Sequence, residues 1–150
     1  MPKITPSWVF DHQAEAAANF YISVFGSGKI THRTYFEAND PGTAGTLATV
    51  TFELLGQEYV AANGGPEFTF GQGLSLYIDC ESQQEMDAIY DQLSAGGEQQ
   101  PCGWLVDKFG VSWQVASSRI QQMMNDPDQQ KAHRMLKALY DMTRIDMQTL

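Results

Sequence analysis

The sequence is short of positive charge. Its 150 residues carry 9 Lys plus Arg against 18 Asp plus Glu, a formal net charge of −9. From residue 34 to residue 107 there is no Lys or Arg at all, while 12 carboxylates fall in that stretch, from Glu37 to Asp107. Phosphate backbones are held by clustered cations, so half of this chain makes a poor nucleic-acid surface. The same deficit weighs against binding to anionic membrane surfaces. Long apolar runs are missing too; none approaches the ~20 residues that span a bilayer. The opening Met1-Pro2-Lys3-Ile4-Thr5-Pro6 is followed by no signal-peptide core. Cysteine is scarce: Cys80 and Cys102 lie 22 positions apart, which is neither a CxxC pair nor a disulfide framework. These absences describe a cytoplasmic protein with free thiols and no nucleic-acid or membrane partner. At 43% hydrophobic and 11% aromatic residues, the composition is that of a folded domain and not of a disordered segment. The length fits one domain, able to bury roughly two-thirds of its unfolded surface.

The hydrophobic pattern runs twice. Ile4 to Phe10 reads as a strand, with Pro6 placing it at an edge or in an irregular position. Asp11, or His12, is a candidate N-cap for a helix whose apolar positions are Ala14, Ala17, Phe20, Tyr21, Val24 and Phe25. Gly26 and Gly28 end it. Strands follow at Lys29 to Phe36, Thr46 to Leu55 and Glu58 to Ala62, the last two joined as a hairpin. After Asn63-Gly64-Gly65-Pro66 the pattern restarts. Gly73 to Cys80 alternates, with Leu74, Leu76 and Ile78 against Ser75, Tyr77 and Asp79. Ser82 and Glu85 form a capping box for a helix with Met86, Ile89, Tyr90 and Leu93 on its apolar side. A short strand near Glu98 to Gln100 and a hairpin of Trp104 to Lys108 with Val111 to Ala116 complete it, Asp107-Lys108 shaping the turn.

The order is β-α-β-β-β twice, which with its hairpins argues for an α+β fold and against a doubly wound parallel sheet. The modules cover about residues 1–65 and 73–118. A helical extension occupies 119–150, with helices at Ser118 to Asn125 and Gln129 to Met142. The apolar side of the second, Met135, Leu136, Leu139, Tyr140 and Met142, must bury against its own domain or against a second copy of the chain.

Several stretches carry a resemblance. They are Ile4-Thr5-Pro6 with Phe10, Ala14-Glu15-Ala16-Ala17 leading to Phe20-Tyr21, and Asn63-Gly64-Gly65-Pro66 with Phe68. Gln100-Pro101-Cys102-Gly103-Trp104 and the run from Asp107 to Gln114 follow in the same order. Over residues 1–118 the chain resembles the PhnB-like branch of the glyoxalase/bleomycin-resistance superfamily, the vicinal oxygen chelate proteins, whose members often carry the label 3-demethylubiquinone-9 3-methyltransferase. The resemblance implies two βαβββ modules forming a U-shaped sheet around a cavity, usually in a homodimer. It also implies a divalent metal held by His, Glu or Gln on the first and last strands of each module.

The residues at those positions do not suit a metal. The first strand offers Ile4, Pro6 or Trp8. The first module's last strand ends at Asn63, the second module begins with Leu74 or Ser75, and its last strand offers Gln114. One or two neutral amides hold a catalytic metal poorly. His12, His32 and His133 are scattered and follow no ligand spacing. Methyl transfer has its own difficulty. A nucleotide-type cofactor needs a Gly-rich turn leaving a strand and entering a helix, whereas Gly26-Ser27-Gly28 runs from helix to strand. Neither a metal nor a cofactor is expected.

The expected function is therefore binding of a small organic molecule in a metal-poor cavity, with Trp8, Asn63, Cys102, Trp104 and Gln114 as candidate wall residues. Trp8 and Trp104 have an alternative reading as fillers of a narrow core. Cys102 has no base nearby in sequence and reads as an inert thiol. Two rival functions remain. One is an enzyme of the same superfamily, either of the metal-dependent lyase or dioxygenase type or a methyltransferase. The other is a drug-sequestering binder of the bleomycin-resistance kind.

Overall fold

The computed structural model describes residues 1–150. The chain divides into two compact units, Met1–Thr69 and Phe70–Leu150, the second including the helical extension.

The first unit holds β1 (Ser7–Phe10), α1 (Ala14–Phe25), β2 (Lys29–Tyr35), β3 (Leu47–Leu54) and β4 (Gln57–Asn63) in a sheet of order β1-β4-β3-β2. β1 runs parallel to β4, with Trp8 opposite Ala61 and Phe10 opposite Asn63; β4 and β3 form the expected hairpin. α1 lies on one face of the sheet. Its Ala14, Ala17, Ala18 and Tyr21 are buried with Trp8, Phe10, Val50, Phe52 and Ala61. Small residues at three of the four buried helix positions let the backbone approach the aromatic rings closely. Trp8 stacks on Tyr59 at 5.3 Å between centroids and packs on Tyr21 at 5.6 Å.

Two expectations need correction here. Strand pairing begins at Ser7 and not at Ile4, which is fully exposed. And neither Asp11 nor His12 caps α1. Gln13 holds the N-cap position without a side-chain bond, and the cap comes from the end of the neighbouring strand β4, where Asn63 Oδ1 accepts the Ala14 N–H at 2.9 Å. Asn63 Nδ2 donates to the Leu47 carbonyl at 3.2 Å, so one side chain ties β4 to both α1 and β3.

The second unit repeats the topology with β5 (Leu76–Asp79), α2 (Gln83–Ser94), β6 (Glu98–Gln99), β7 (Trp104–Val106) and β8 (Ser112–Ala116), in the order β5-β8-β7-β6. β5 is parallel to β8, as β1 is to β4. It is shorter than the alternation suggested, pairing with β8 only from Leu76 to Asp79. The Ser82 half of the capping box forms, its Oγ accepting from Glu85 N at 3.1 Å; the return bond is displaced by one residue, Glu85 Oε2 accepting from Glu81 N at 2.9 Å. Asp107 is 2% exposed and organises the β7–β8 turn. Its Oδ1 accepts from Phe109 N and Val111 N, at 2.8 and 3.1 Å, and its Oδ2 accepts from Trp113 Nε1 at 2.8 Å.

The extension holds α3 (Ser118–Met124) and α4 (Gln129–Tyr140). Part of its apolar side is buried within its own unit, while Tyr140 is 64% exposed. Ala132, Met135, Leu139 and Ile145 are buried. The Cys102 and Gly103 N–H groups donate to Met142 and Thr143 carbonyls, each at 2.8 Å. Gln83 brackets the chain end, donating to Ile145 O at 2.8 Å and accepting from Met147 N at 2.9 Å. Gly103 makes this approach possible. Its φ is +80°, and a Cβ there would sit 2.6 Å from Val115 O and 2.7 Å from Ile145 Cδ1. No helix is long and apolar enough to cross a membrane.

Candidate functional site

In each sheet the two faces differ. Residues directly opposite one another across a ladder share a face. In the second sheet Leu105, Trp113 and Val115 are buried on the face that α2 covers. The other face carries a row across three strands: Tyr77 on β5 opposite Gln114 on β8, and Gln114 opposite Trp104 on β7. Gln114 and Trp104 are half-buried and Tyr77 is 51% exposed.

Gln114 is held in place. Its Nε2 donates to Ser75 Oγ at 2.8 Å, which leaves the other end of the amide for a further partner. The Tyr77 hydroxyl donates to Ser117 O at 3.3 Å. Burial, then the Asp79 carboxylate and the Cys80 thiol, raise the Tyr77 phenol above its usual range, so it stays protonated and a donor. Trp104 lines an open hollow of about 430 Å³ together with Gln72, Glu98, Gln100 and Pro101. Its carbonyl accepts from the Tyr90 hydroxyl at 3.0 Å, which anchors β7 to α2.

The five residues singled out from the sequence do not form one cluster. Gln114 and Trp104 are neighbours on the face of the second sheet away from α2. Trp8 lies in the first unit, on the face covered by α1, and is 8% exposed. Of its two readings, core filler describes it. Asn63 is the clamp described above, and it also lines a separate cleft of the first unit. Cys102 sits in a tight turn at Pro101–Gly103 with φ +63°, its Sγ 3.6 Å from Leu139 O. Burial raises its pKa, and no ion pair or cation faces it, so it lacks the setting of a nucleophile. Cys80 is buried, and desolvation, then Glu85 and Asp79, push its thiol up to about 11. Tyr77 was the residue to add. Its alternation with Leu76 and Ile78 already put it on this face, but only the β5–β8 register sets it beside Gln114.

The donor set does not fit a divalent metal. By alternation the face of the first sheet away from α1 carries Ser7, Val9, Val60 and Ala62 at the first and last strands, and the face of the second away from α2 carries Tyr77, Asp79, Gln114 and Ala116. Among these only Asp79 is a strong ligand, and it accepts the Ser118 N–H at 2.6 Å. No group of three His, Cys, Asp or Glu side chains converges anywhere in the chain.

The model of the family described as 3-demethylubiquinone-9 3-methyltransferase matches residues 2–116. The chain belongs to this family. It is thus a PhnB-like protein of the glyoxalase/bleomycin-resistance superfamily, and the double βαβββ topology is that of the superfamily. A Bacillus cereus PhnB protein bearing the same methyltransferase label is 36% identical, with a TM-score of 0.70 over 77% of this chain and 100% of that one. A Pseudomonas aeruginosa protein is 20% identical, with a TM-score of 0.64 over 78% of this chain and 98% of the other. The fosfomycin resistance protein FosX of Listeria monocytogenes shares the fold at 14% identity, with a TM-score of 0.51 over 75% of this chain and 91% of its own. No curated protein matches the sequence. The match ends with β8; α3 and α4 lie beyond the matched residues.

Proposed function

We propose that this PhnB-like protein binds a small, uncharged, planar organic molecule on the face of its second sheet away from α2, beside the hollow that Trp104 lines, without a metal. The observation that carries this is the row Tyr77–Gln114–Trp104, an amide fixed by Ser75 between two aromatic side chains. Aromatic side chains give a planar ligand two apolar surfaces, and the amide supplies a directional bond of either sense. The surroundings are rich in amides, Gln72 and Gln100 beside Trp104, with Glu98 as the one charged group of the hollow. An anionic ligand would find no cation there.

Methyl transfer, the activity in the family's name, finds little support in this chain. The β1–α1 turn is Asp11-His12-Gln13 and the β5–α2 turn is Cys80-Glu81-Ser82. Neither contains the glycine that lets a strand-to-helix turn approach a nucleotide-type cofactor. The test is a fragment screen by NMR, using equal numbers of uncharged planar, anionic and cationic compounds. The reading expects uncharged planar hits that shift the Trp104 indole N–H and the Gln114 side-chain amide. It expects Trp104→Ala to abolish those hits and Trp104→Phe to retain most of them. Hits that leave both signals unmoved, or that survive Trp104→Ala, would sink it.

A further inference from the structure

The first unit contains a cleft that the family reading does not use. It has a volume of about 830 Å³, within the roughly 300–1,000 Å³ of small-molecule sites. It opens where β1 and β4 end, between the start of α1 and the β2–β3 loop. One wall is apolar: Phe36, Leu47 and Phe68. The other carries the carboxylates of Asp11 and Glu15. Asn63 fixes the geometry from behind, because its side chain sets where α1 begins relative to β3.

The two phenylalanines are seated by glycines. A Cβ on Gly42 would lie 2.3 Å from the Phe36 ring, and one on Gly64 would lie 2.9 Å from the Phe68 ring. Neither glycine has a positive φ, so close ring packing is what the absent Cβ permits there. The β2–β3 loop that carries Gly42 is tied down: Asp40 Oδ2 accepts from Glu37 N at 2.7 Å, and Gly45 N donates to Phe36 O at 2.8 Å. The Phe36 wall is therefore formed in advance of any ligand.

The charges are unequal in freedom. Glu15 is ion-paired with Arg33 at 2.8 Å, whereas Asp11 faces only the His12 ring nitrogen at 3.5 Å. An apolar wall with aromatic faces, opposite a carboxylate held by no Lys or Arg, matches one class of small molecule. We propose that this cleft binds an organic cation with an apolar body, an ammonium or quaternary ammonium whose charge meets Asp11 while its body lies against Phe36 and Phe68. Cations over aromatic faces contribute about 0.5–2 kcal/mol, more as the site becomes drier. The site shares no residue with the face of the second sheet, so the two readings stand or fall separately.

The experiment is calorimetric titration of the full chain with three probes of one ring size: benzyltrimethylammonium, benzyl alcohol and phenylacetate. Chemical-shift mapping runs alongside. The expected order is binding of the quaternary ammonium, weaker binding of the alcohol and none of the anion, with shifts at Asp11, Phe36 and Phe68. Asp11→Asn should weaken the cation about 2- to 5-fold, the range of a partly exposed charge pair, and leave the alcohol unchanged. Gly42→Ala, which displaces the Phe36 ring, should weaken both probes. The proposal is overturned if phenylacetate binds as well as the cation, if the cation's shifts map outside the cleft, if Asp11→Asn leaves the preference for the cation intact, or if none of the probes binds.

Discussion

Asp107 offers the sharpest test of how the second unit is held together. It is a carboxylate buried at the β7–β8 turn, accepting from two turn N–H groups and from the indole of Trp113. Asp107→Asn keeps the shape and changes one end of the group. If Oδ1 keeps its two backbone partners, the new Nδ2 points a donor at the Trp113 N–H, 2.8 Å away in the parent. Hydrogen bonds to a charged group contribute about 1.5–3 kcal/mol, and an unmade bond at a buried donor costs about 1–3 kcal/mol. The substitution should therefore destabilise by about 2–4 kcal/mol. Asp107→Ala removes all three named bonds and should cost more, about 3–5 kcal/mol by the same reckoning. Urea unfolding followed by tryptophan fluorescence measures this as a lowered midpoint with the slope unchanged. The decisive measurement is a double-mutant cycle. Trp113→Phe removes the indole N–H, so Asp107→Asn in that background loses its donor clash. The cycle should show about 1–2 kcal/mol of coupling. If Asp107→Asn costs the same in both backgrounds, within about 0.3 kcal/mol, the carboxylate does not act through Trp113 and the reasoning fails.

Three further outcomes follow from the same geometry. Asn63→Ala removes the bond to the α1 N-terminus and the tie to β3, and should cost about 1–2 kcal/mol; a melting temperature equal to the parent's would show that the side chain is dispensable. Ile145→Ala vacates a buried contact against Gly103 and should cost about 2–4 kcal/mol, whereas a tail that rests loosely on its unit would give almost none. For Cys80 the direction with pH is fixed. Its folded pKa, about 11, lies above the ordinary 9.0, so the folded state keeps a proton that the unfolded chain gives up. Its contribution is complete below about pH 9 and is lost as pH rises toward 11. The parent should lose stability relative to Cys80→Ala over that interval; parallel curves would contradict the assignment.

What was legible in the sequence was largely what is local. Alternation located most strands to within two residues, the Ser82–Glu85 pair declared the α2 cap, and two passes of one pattern declared two modules. What was hidden required knowledge of partners. Asp11 has the right chemistry for a cap at the right place, but the cap comes from Asn63, 49 residues away in sequence. The distance matters physically. β1 lies parallel to β4 with Phe10 opposite Asn63, so the strand end delivers an amide to the helix start as soon as the sheet closes. The asparagine read as a wall residue thus joins three elements, and its place in the second cleft is a consequence of that.

The tryptophans show the same divide. Trp8 and Trp104 look alike in sequence, each at the start of a strand near a proline. The register separates them. Trp8 pairs with Ala61, whose small side chain leaves room for the indole beneath α1, among Tyr21, Phe52 and Tyr59. Trp104 pairs with Gln114, on the face away from α2, while the next residue, Leu105, takes the covered side. Strand faces alternate, so a shift of one residue would exchange these roles. What fixes the alignment in the second hairpin is the Asp107 turn, because its bonds to Val111 and Trp113 allow one pairing of β7 with β8. The buried carboxylate thus sets which side chains lie on the face away from α2. A hairpin shifted by one residue would set Leu105 opposite Gln114 or Ser112 instead of Trp113, and one of the two strands would then turn its apolar side chains away from α2; the folding determinant and the candidate binding surface are thus linked through a single turn.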